Sequence, residues 1–345
     1  MAKITVQKLA DMLGLSGAAV SMALHGKPGV SEDTRRRVLE AARQQGYVPP
    51  RRTARSPKNA SSTAQDFCPV LLVLRGSGKT ADAATFFSGM LEELERLAGG
   101  LLVFYIDPPD RWGEEGPERI RRINESASVV LIQGVQLDGQ GLEEILSLLR
   151  PPAVVFDRET TGLPVSSVSM DNAGIIREAV RKLWKLGYRR FAFLRQDTAD
   201  LPNHRLRLEG YRQAAAEAVG ADFIELPLPD PADTPGRAAF AEAVKGRVCF
   251  SAQDGTALSA YRLLGEAAKE TVLGGFDDFP LFREIETPAF TFRYQIDTVC
   301  RWAMELARSA SAEPYLPPVH LAVSAPMLCY HFDPESPPFP LGTGV

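Results

Sequence analysis

Gly76-Ser77-Gly78-Lys79-Thr80 follows an apolar stretch and has the spelling of a loop that wraps phosphate oxygens in backbone N–H groups. The complete motif needs glycine five positions before Gly78, and Val73 stands there, inside the apolar run. A nucleotide hydrolase is therefore the less favoured alternative, and the loop reads equally well as a surface turn or the rim of a ligand cleft. Asp277-Asp278 has the residue types of a metal or acid/base site, but Gly-Phe-Asp-Asp also reads simply as a strand end. The four histidines (His25, His204, His320, His331) and four cysteines (Cys68, Cys249, Cys300, Cys329) lack ligand spacing. No metal site and no disulfide framework is expected from them, only buried thiols. No Gly-x-Ser-x-Gly elbow and no set of nucleophile, base and orienting group is present, so the expectation is a protein that binds rather than catalyses and needs no cofactor.

Charge gives a stronger lead. Residues 1–60 hold eleven Lys or Arg against four Asp or Glu, although the whole 345-residue chain has a formal charge of −4. A basic head on an acidic body is the footprint of a nucleic-acid module joined to something else. The N-terminal residues carry no signal-peptide pattern, and no apolar run is long enough to span a bilayer, so the expected location is the cytoplasm.

The head must be helical. Thr5 can cap a helix over Val6–Leu13, with Val6, Leu9, Ala10 and Leu13 on one face at 3.6-residue spacing. Gly14 stops it and Leu15 plugs the turn. Ser16 caps a second helix over Gly17–Leu24, with Val20, Ala23 and Leu24 inward. After a loop at residues 25–29, Ser31 caps a third helix that has Val38, Leu39 and Ala42 on its core face and ends at Gly46. Two helices joined by a short turn, the second opening on small and polar residues, form a helix-turn-helix. A basic linker follows, Pro49 to Lys58, and then a polar stretch to Asp66.

From Phe67 the texture changes. The runs PVLLVLR, LLVFYID, VVLIQG, AVVFD, FAFL, VCFSA and TVLGGFDD alternate with helical stretches such as FFSGMLEELERL, AGIIREAVRKLWKLG and TALSAYRLLGEAA. This alternation predicts an α/β body of parallel sheets covered on both faces, with ligands beyond the carboxyl ends of the strands. The tail Pro334–Val345 is rich in proline, lacks leucine heptads and is expected to be disordered.

The head stretches ITVQKLADMLGLS, AAVSMAL and GVSEDTRRRVLEAARQQGYVP closely resemble the DNA-binding head of the LacI/GalR family of bacterial transcription regulators. By that resemblance the helix from Ser16 enters the major groove. Thr5, Ser16, Ser21 and His25 would bond phosphates or base edges, and Gly17, Ala18 and Met22 would face the bases. The family commonly has Arg where Met22 stands, and Met, Gly and Ala offer only close approach and apolar contact with thymine methyl groups. Weaker direct readout is therefore expected. Arg51, Arg52 and Arg55 are expected at phosphates or a narrow minor groove. Pro57 stands where the family's wedge Leu is expected, which confines any hinge helix to about one turn.

The body stretches VSMDNAGIIREAVRKLWKLGYRRFAFL, RLRLEGYRQAAAEA, FSAQDGTALSAYRLL and GGFDDFPL resemble the same family, whose core looks like periplasmic sugar-binding proteins. The resemblance implies two subdomains joined by three crossings near 165, 290 and 325. The expected division is a helix-turn-helix domain at 1–50 and a linker at 51–66. The first core subdomain would be 67–165 plus 291–325, the second 166–290 plus 326–333, and the tail 334–345. The resemblance also places Asp157, Arg207 and Asp277 at the ligand. Carboxylates that accept from hydroxyls and a guanidinium fork suit a sugar. Gln253 and Tyr294 depart from the usual Asn and Gln at their positions, and Phe86, Phe87 and Tyr294 are candidates for an apolar face under a sugar ring.

Together these features predict a ligand-controlled transcription regulator, a repressor acting as a homodimer on a near-palindromic DNA operator, with a small sugar as effector. The main alternative is a ligand-binding module whose DNA head has relaxed specificity.

Overall fold

The computed structural model describes residues 6–24, 30–44, 67–75, 81–160, 162–196, 201–314 and 316–339. They fall into two compact units, a helical head and a core beginning at Phe67.

The head is three helices, α1 (Val6–Leu13), α2 (Gly17–Leu24) and α3 (Glu32–Gln44). Their ends follow from local chemistry. The Ser16 hydroxyl accepts the Ala19 N–H at 3.1 Å, and the Ser31 hydroxyl accepts the Thr34 N–H at 3.2 Å, each filling one orphan donor of a first helical turn. Gly14 ends α1 with φ +65°, a left-handed conformation that side chains with a Cβ resist. Leu9, Ala10, Val20, Ala23, Leu24, Val38 and Ala42 bury themselves at the centre, with Leu13, Leu15 and Leu39 packed around them. The apolar spacing alone thus closes a small core.

The core unit holds two six-stranded sheets. The chain runs through β1 (Pro69–Leu74), α4 (Ala81–Ala98), β2 (Leu102–Ile106), α5 (Glu115–Ser126), β3 (Val129–Gln133), α6 (Gly139–Leu148), β4 (Ala153–Phe156) and β5 (Ser166–Met170). It continues through α7 (Asn172–Lys185), β6 (Arg190–Arg195), α8 (Pro202–Glu217), β7 (Asp222–Pro227), α9 (Thr234–Val244), β8 (Val248–Ser251), α10 (Asp254–Leu264), β9 (Val272–Gly274) and β10 (Ala289–Phe292). It ends with α11 (Ile296–Ala312), β11 (His320–Val323) and β12 (Met327–Tyr330). The first sheet has the order β11-β5-β4-β3-β1-β2 and is parallel throughout. The second has the order β12-β10-β9-β8-β6-β7, parallel except for the β10–β12 pair. Every residue of β1 and β3 is buried, as strands covered on both faces require. Each buried Val or Leu there contributes roughly 1.5–3 kcal/mol.

The chain passes between the sheets three times, and the expected crossing near 165 is corrected. β5 pairs with β4 and β11 in the first sheet, so the chain leaves that sheet only at Asp171. The Asp171 N–H bonds the Val323 carbonyl at 2.8 Å, and its side chain caps α7 by accepting the Gly174 N–H at 2.9 Å. β5 reads Ser-Ser-Val-Ser-Met, which has no apolar run, and its buried Ser167 is paired sideways. The Ser167 hydroxyl lies 2.9 Å from His320 Nδ1 on β11. The second crossing follows Phe292 and leads into α11, which packs on α4 and on β3, β4 and β5. The third runs from Val323 to Met327.

The expectation of disorder from Pro334 onward is also corrected for residues 334–339. Phe332 and Phe339 meet the buried Tyr188 ring edge-on at 6.2 and 6.3 Å, and the Tyr188 hydroxyl donates to the Pro334 carbonyl at 3.2 Å. Aromatic burial outweighs a composition that favours disorder. Residues 340–345 lie outside the described residues.

Candidate functional site

In the head, Ser16 is exposed at the start of α2 with its hydroxyl already capping the helix, and Gly17 is the first helical residue. Ala18, Ser21 and Met22 lie within α2. Thr5, His25, Arg51, Arg52, Arg55 and Pro57 lie outside the described residues, as does the loop Gly76–Thr80.

In the core, polar side chains from both halves converge where the strands end. Asp157 follows β4 directly and is buried, with φ +59°, a conformation that aspartate tolerates better than most residues. The Tyr294 hydroxyl, on the second crossing, donates to Asp157 Oδ1 at 2.8 Å. Asn203, at the start of α8, donates from Nδ2 to both the carbonyl and Oδ1 of Asp157 at 3.3 Å. One turn along the same helix face, Arg207 donates from Nε to Asn172 Oδ1 at 2.8 Å and from Nη1 to the Ala252 carbonyl. Its Nη2 lies 3.5 Å from Asp277 Oδ1, and its guanidinium sits 3.5 Å over the Phe276 ring. Asp277 follows β9 and has φ +114°, strained for a residue with a side chain.

The electrostatics follow from this enclosure. Burial pushes the Asp157 carboxyl up to about 6, opposed by the Tyr294 hydroxyl, the Arg207 charge and the Asn203 and Gln133 amides. Burial pulls the Arg207 guanidinium below its ordinary range, and the nearby carboxylates, Asp277 foremost, hold it up. Burial and the neighbouring Asp157 raise the Tyr294 phenol well above its usual value, which keeps it a hydrogen-bond donor.

Asp157, Arg207, Asp277 and Tyr294 therefore share one cluster. Gln253 lies at its edge, where its carbonyl accepts from the Thr256 N–H and the Ser251 hydroxyl at the mouth of α10. Phe86 and Phe87 part company. Phe86 meets Tyr294 edge-on at 4.6 Å, whereas Phe87 lies against Tyr105 at 6.4 Å. Successive helical side chains point about 100° apart, so only one of two neighbours can face the cleft.

Several members of the cluster escaped the sequence. Gln133 ends β3, and Asn172 opens α7. Among the described residues, two of the buried oxygens there, Gln133 Oε1 and Asn203 Oδ1, have no hydrogen-bond partner. An available signal was a lone amide at the end of an apolar strand, or one four residues ahead of an arginine on a helix.

Residues 5–50 match the model of the bacterial regulatory proteins of the lacI family, and residues 180–328 match the periplasmic binding protein-like domain. The transcriptional regulator GalS of Salmonella typhimurium is 26% identical over 324 residues, 90% of each chain. The chain belongs to the lacI family of bacterial regulatory proteins. The HTH-type transcriptional regulator AglR of Rhizobium meliloti is 31% identical over 192 residues, and that alignment spans 52% of AglR and 55% of this lacI-family chain. Among solved structures, the complex of the transcriptional regulator CelR with cellobiose has the same fold, with a TM-score of 0.60 at 22% identity. It covers 94% of this lacI-family chain and 98% of its own. The fold of the family is thus a helix-turn-helix head on a core of two mostly parallel sheets.

Proposed function

We propose that this chain is a sugar-responsive repressor that binds a near-palindromic operator as a homodimer in the cytoplasm and catalyses no reaction. In this account residues 1–50 read DNA, 51–66 link, and the two sheet-based halves close on the effector. The observation that carries the effector is the buried polar cluster. Asp157 and Asp277 accept hydrogen bonds, Arg207 donates a planar fork, and the unpaired oxygens of Gln133 and Asn203 accept from hydroxyls. A buried acceptor left unpaired costs about 1–3 kcal/mol, so a ligand rich in hydroxyl donors recovers that cost on binding. Anionic ligands would meet two carboxylates instead. Among the described residues no helix is long and apolar enough to cross a membrane.

The test is reciprocity. With a duplex that the full-length protein selects, sugars are titrated and DNA affinity is followed by anisotropy. A sugar that binds should change DNA affinity by the same factor by which DNA changes sugar affinity, about 5–150-fold for coupling of the usual size. Sugar binding with no change in DNA affinity contradicts the proposal.

Asp157 sets a pH dependence. Its carboxyl in the free protein titrates near 6, and ligand hydroxyls favour the charged form. Sugar affinity should therefore fall as pH drops below that value, at most about tenfold per unit for one linked proton. Asp157→Asn should remove the dependence. A profile level down to pH 5 in the unsubstituted protein contradicts the role given to Asp157.

In the head, Gly17, Ala18 and Met22 are read as base-facing. Installing Met22→Arg should create a preference for guanine at one position of each half-site, worth about 1–3 kcal/mol. An unchanged binding-site logo removes Met22 from the base-facing set.

A further inference from the structure

Beside the Arg207–Asp277 pair lies another buried carboxyl group, which burial and the neighbouring Asp277 push up to about 8. Asp254 opens α10 and is 2% exposed. Its Oδ2 accepts the Phe279 N–H at 2.8 Å, its Oδ1 accepts the Thr291 hydroxyl at 2.6 Å, and its own N–H donates to the Phe276 carbonyl at 2.9 Å. Three pieces of chain are knotted at this one side chain: the start of α10, strand β10 and the turn at 276–279.

That turn is strained. Asp277 and Asp278 have φ of +114° and +60°, two consecutive left-handed residues, neither a glycine. Such a conformation persists only where the surroundings over-determine it. From the side of the crossings, Asp278 is gripped by Arg293 Nε at 2.7 Å and by the Tyr330 hydroxyl at 2.7 Å. From the side of α10, Asp254 supplies the grip. Packing there leaves no slack, since a Cβ on Gly275 would lie 2.1 Å from Asp254 Oδ1 and 2.6 Å from the Phe282 ring.

We propose that Asp254 is a positioning residue for the effector response, holding the strained turn so that the Asp277 carboxylate stays beside Arg207 in the cleft. Asp254 itself makes no contact with the effector. The proposal rests on Asp277 being an effector contact, and its test separates the two.

Two donors, the Phe279 N–H and the Thr291 hydroxyl, point at Asp254. Asparagine can serve both, with its oxygen accepting from Phe279 and its amide donating to Thr291 once that hydroxyl turns. Alanine serves neither. The first measurement is hydrogen–deuterium exchange on the full-length chain without ligand, reading peptides that cover 275–281. Asp254→Ala should speed exchange at Phe276–Phe279 by about tenfold or more, as loss of a buried acceptor implies, while Asp254→Asn stays within about threefold. Gly275→Ala, which displaces Asp254 from the other side, should reproduce the alanine result. The second is calorimetric titration with D-galactose, D-ribose and cellobiose in turn. Any that bind should bind Asp254→Ala about tenfold or more weakly, with affinity restored in Asp254→Asn. A merely structural role would lower the melting temperature of Asp254→Ala without changing sugar affinity. If Asp277→Asn binds sugar like the unsubstituted protein, the cleft assignment fails, and the exchange result still decides the knot. If residues 276–279 stay as protected in Asp254→Ala as before, or if sugar affinity is lost in Asp277→Asn but kept in Asp254→Ala, the positioning role is overturned.

Discussion

Replacing Arg207 with alanine should abolish the effector response and cost the core about 3–5 kcal/mol of stability, the range for breaking one side of a buried ion pair. The side chains of Arg207 and Asp277 are only 4% and 16% exposed. Truncation takes the Arg207 donors from Asn172 Oδ1 and the Ala252 carbonyl, and it removes the cation from beside Asp277 and from the Phe276 face. Sugar affinity should fall by about 100-fold or more, the range seen when one partner of a buried charged contact is truncated. Arg207→Lys keeps the charge but loses the fork that reaches three partners at once, so it should recover stability only in part. Urea unfolding and calorimetric titration read the two effects separately. Stability within about 1 kcal/mol of the unsubstituted protein, the size of an ordinary surface hydrogen bond, contradicts the network.

Gly210→Ala should be nearly as damaging without touching a polar group. Gly210 lies three residues beyond Arg207 on α8, where α8 crosses α7. A Cβ there would lie 2.1 Å from the Ala173 carbonyl oxygen and 2.8 Å from both Ala173 C and Cα. Those are backbone atoms, so the helices themselves must separate. Overpacking of this kind costs typically about 1–3 kcal/mol, and a clash with backbone belongs at the upper end. The separation also pulls Arg207 from Asn172, the residue beside Ala173. Thermal unfolding should show the loss, and sugar affinity should fall with it. A melting temperature unchanged by Gly210→Ala would mean that α7 and α8 are farther apart than described.

What the sequence revealed divides along physical lines. The head was legible almost residue by residue, because Ser16, Gly14 and Ser31 act on their own near neighbours and the apolar faces repeat within single helices. The apolar strands were legible for the same reason. β5 was not, since its serines make sense only beside His320, 153 residues away. The order of the tail from Pro334 to Phe339 is not legible in its composition, because its partner, Tyr188, is equally remote in sequence. The cleft shows the same limit more strongly. Asp157 and Tyr294 are 137 residues apart and meet only through the fold. The place of Asp157 came from resemblance to a family rather than from spacing, and Tyr294, expected as an apolar face, donates its hydroxyl to it instead. Gln133, Asn172 and Asn203 carry no signature of their own, since a single amide is a common residue with many uses. Which of Phe86 and Phe87 meets Tyr294 depends on the rotation of α4, which brings Phe86 there and Phe87 to Tyr105.

In the proposed function the helical head reads a specific DNA sequence as a two-fold pair. Selection from a pool of random duplexes, with the full-length protein at physiological salt, decides whether it does. Two inverted half-sites with a fixed spacing should be enriched, because a dimer imposes its own symmetry on the DNA. Binding that weakens steeply with salt but enriches no sequence would contradict it, since phosphate contacts alone produce that behaviour.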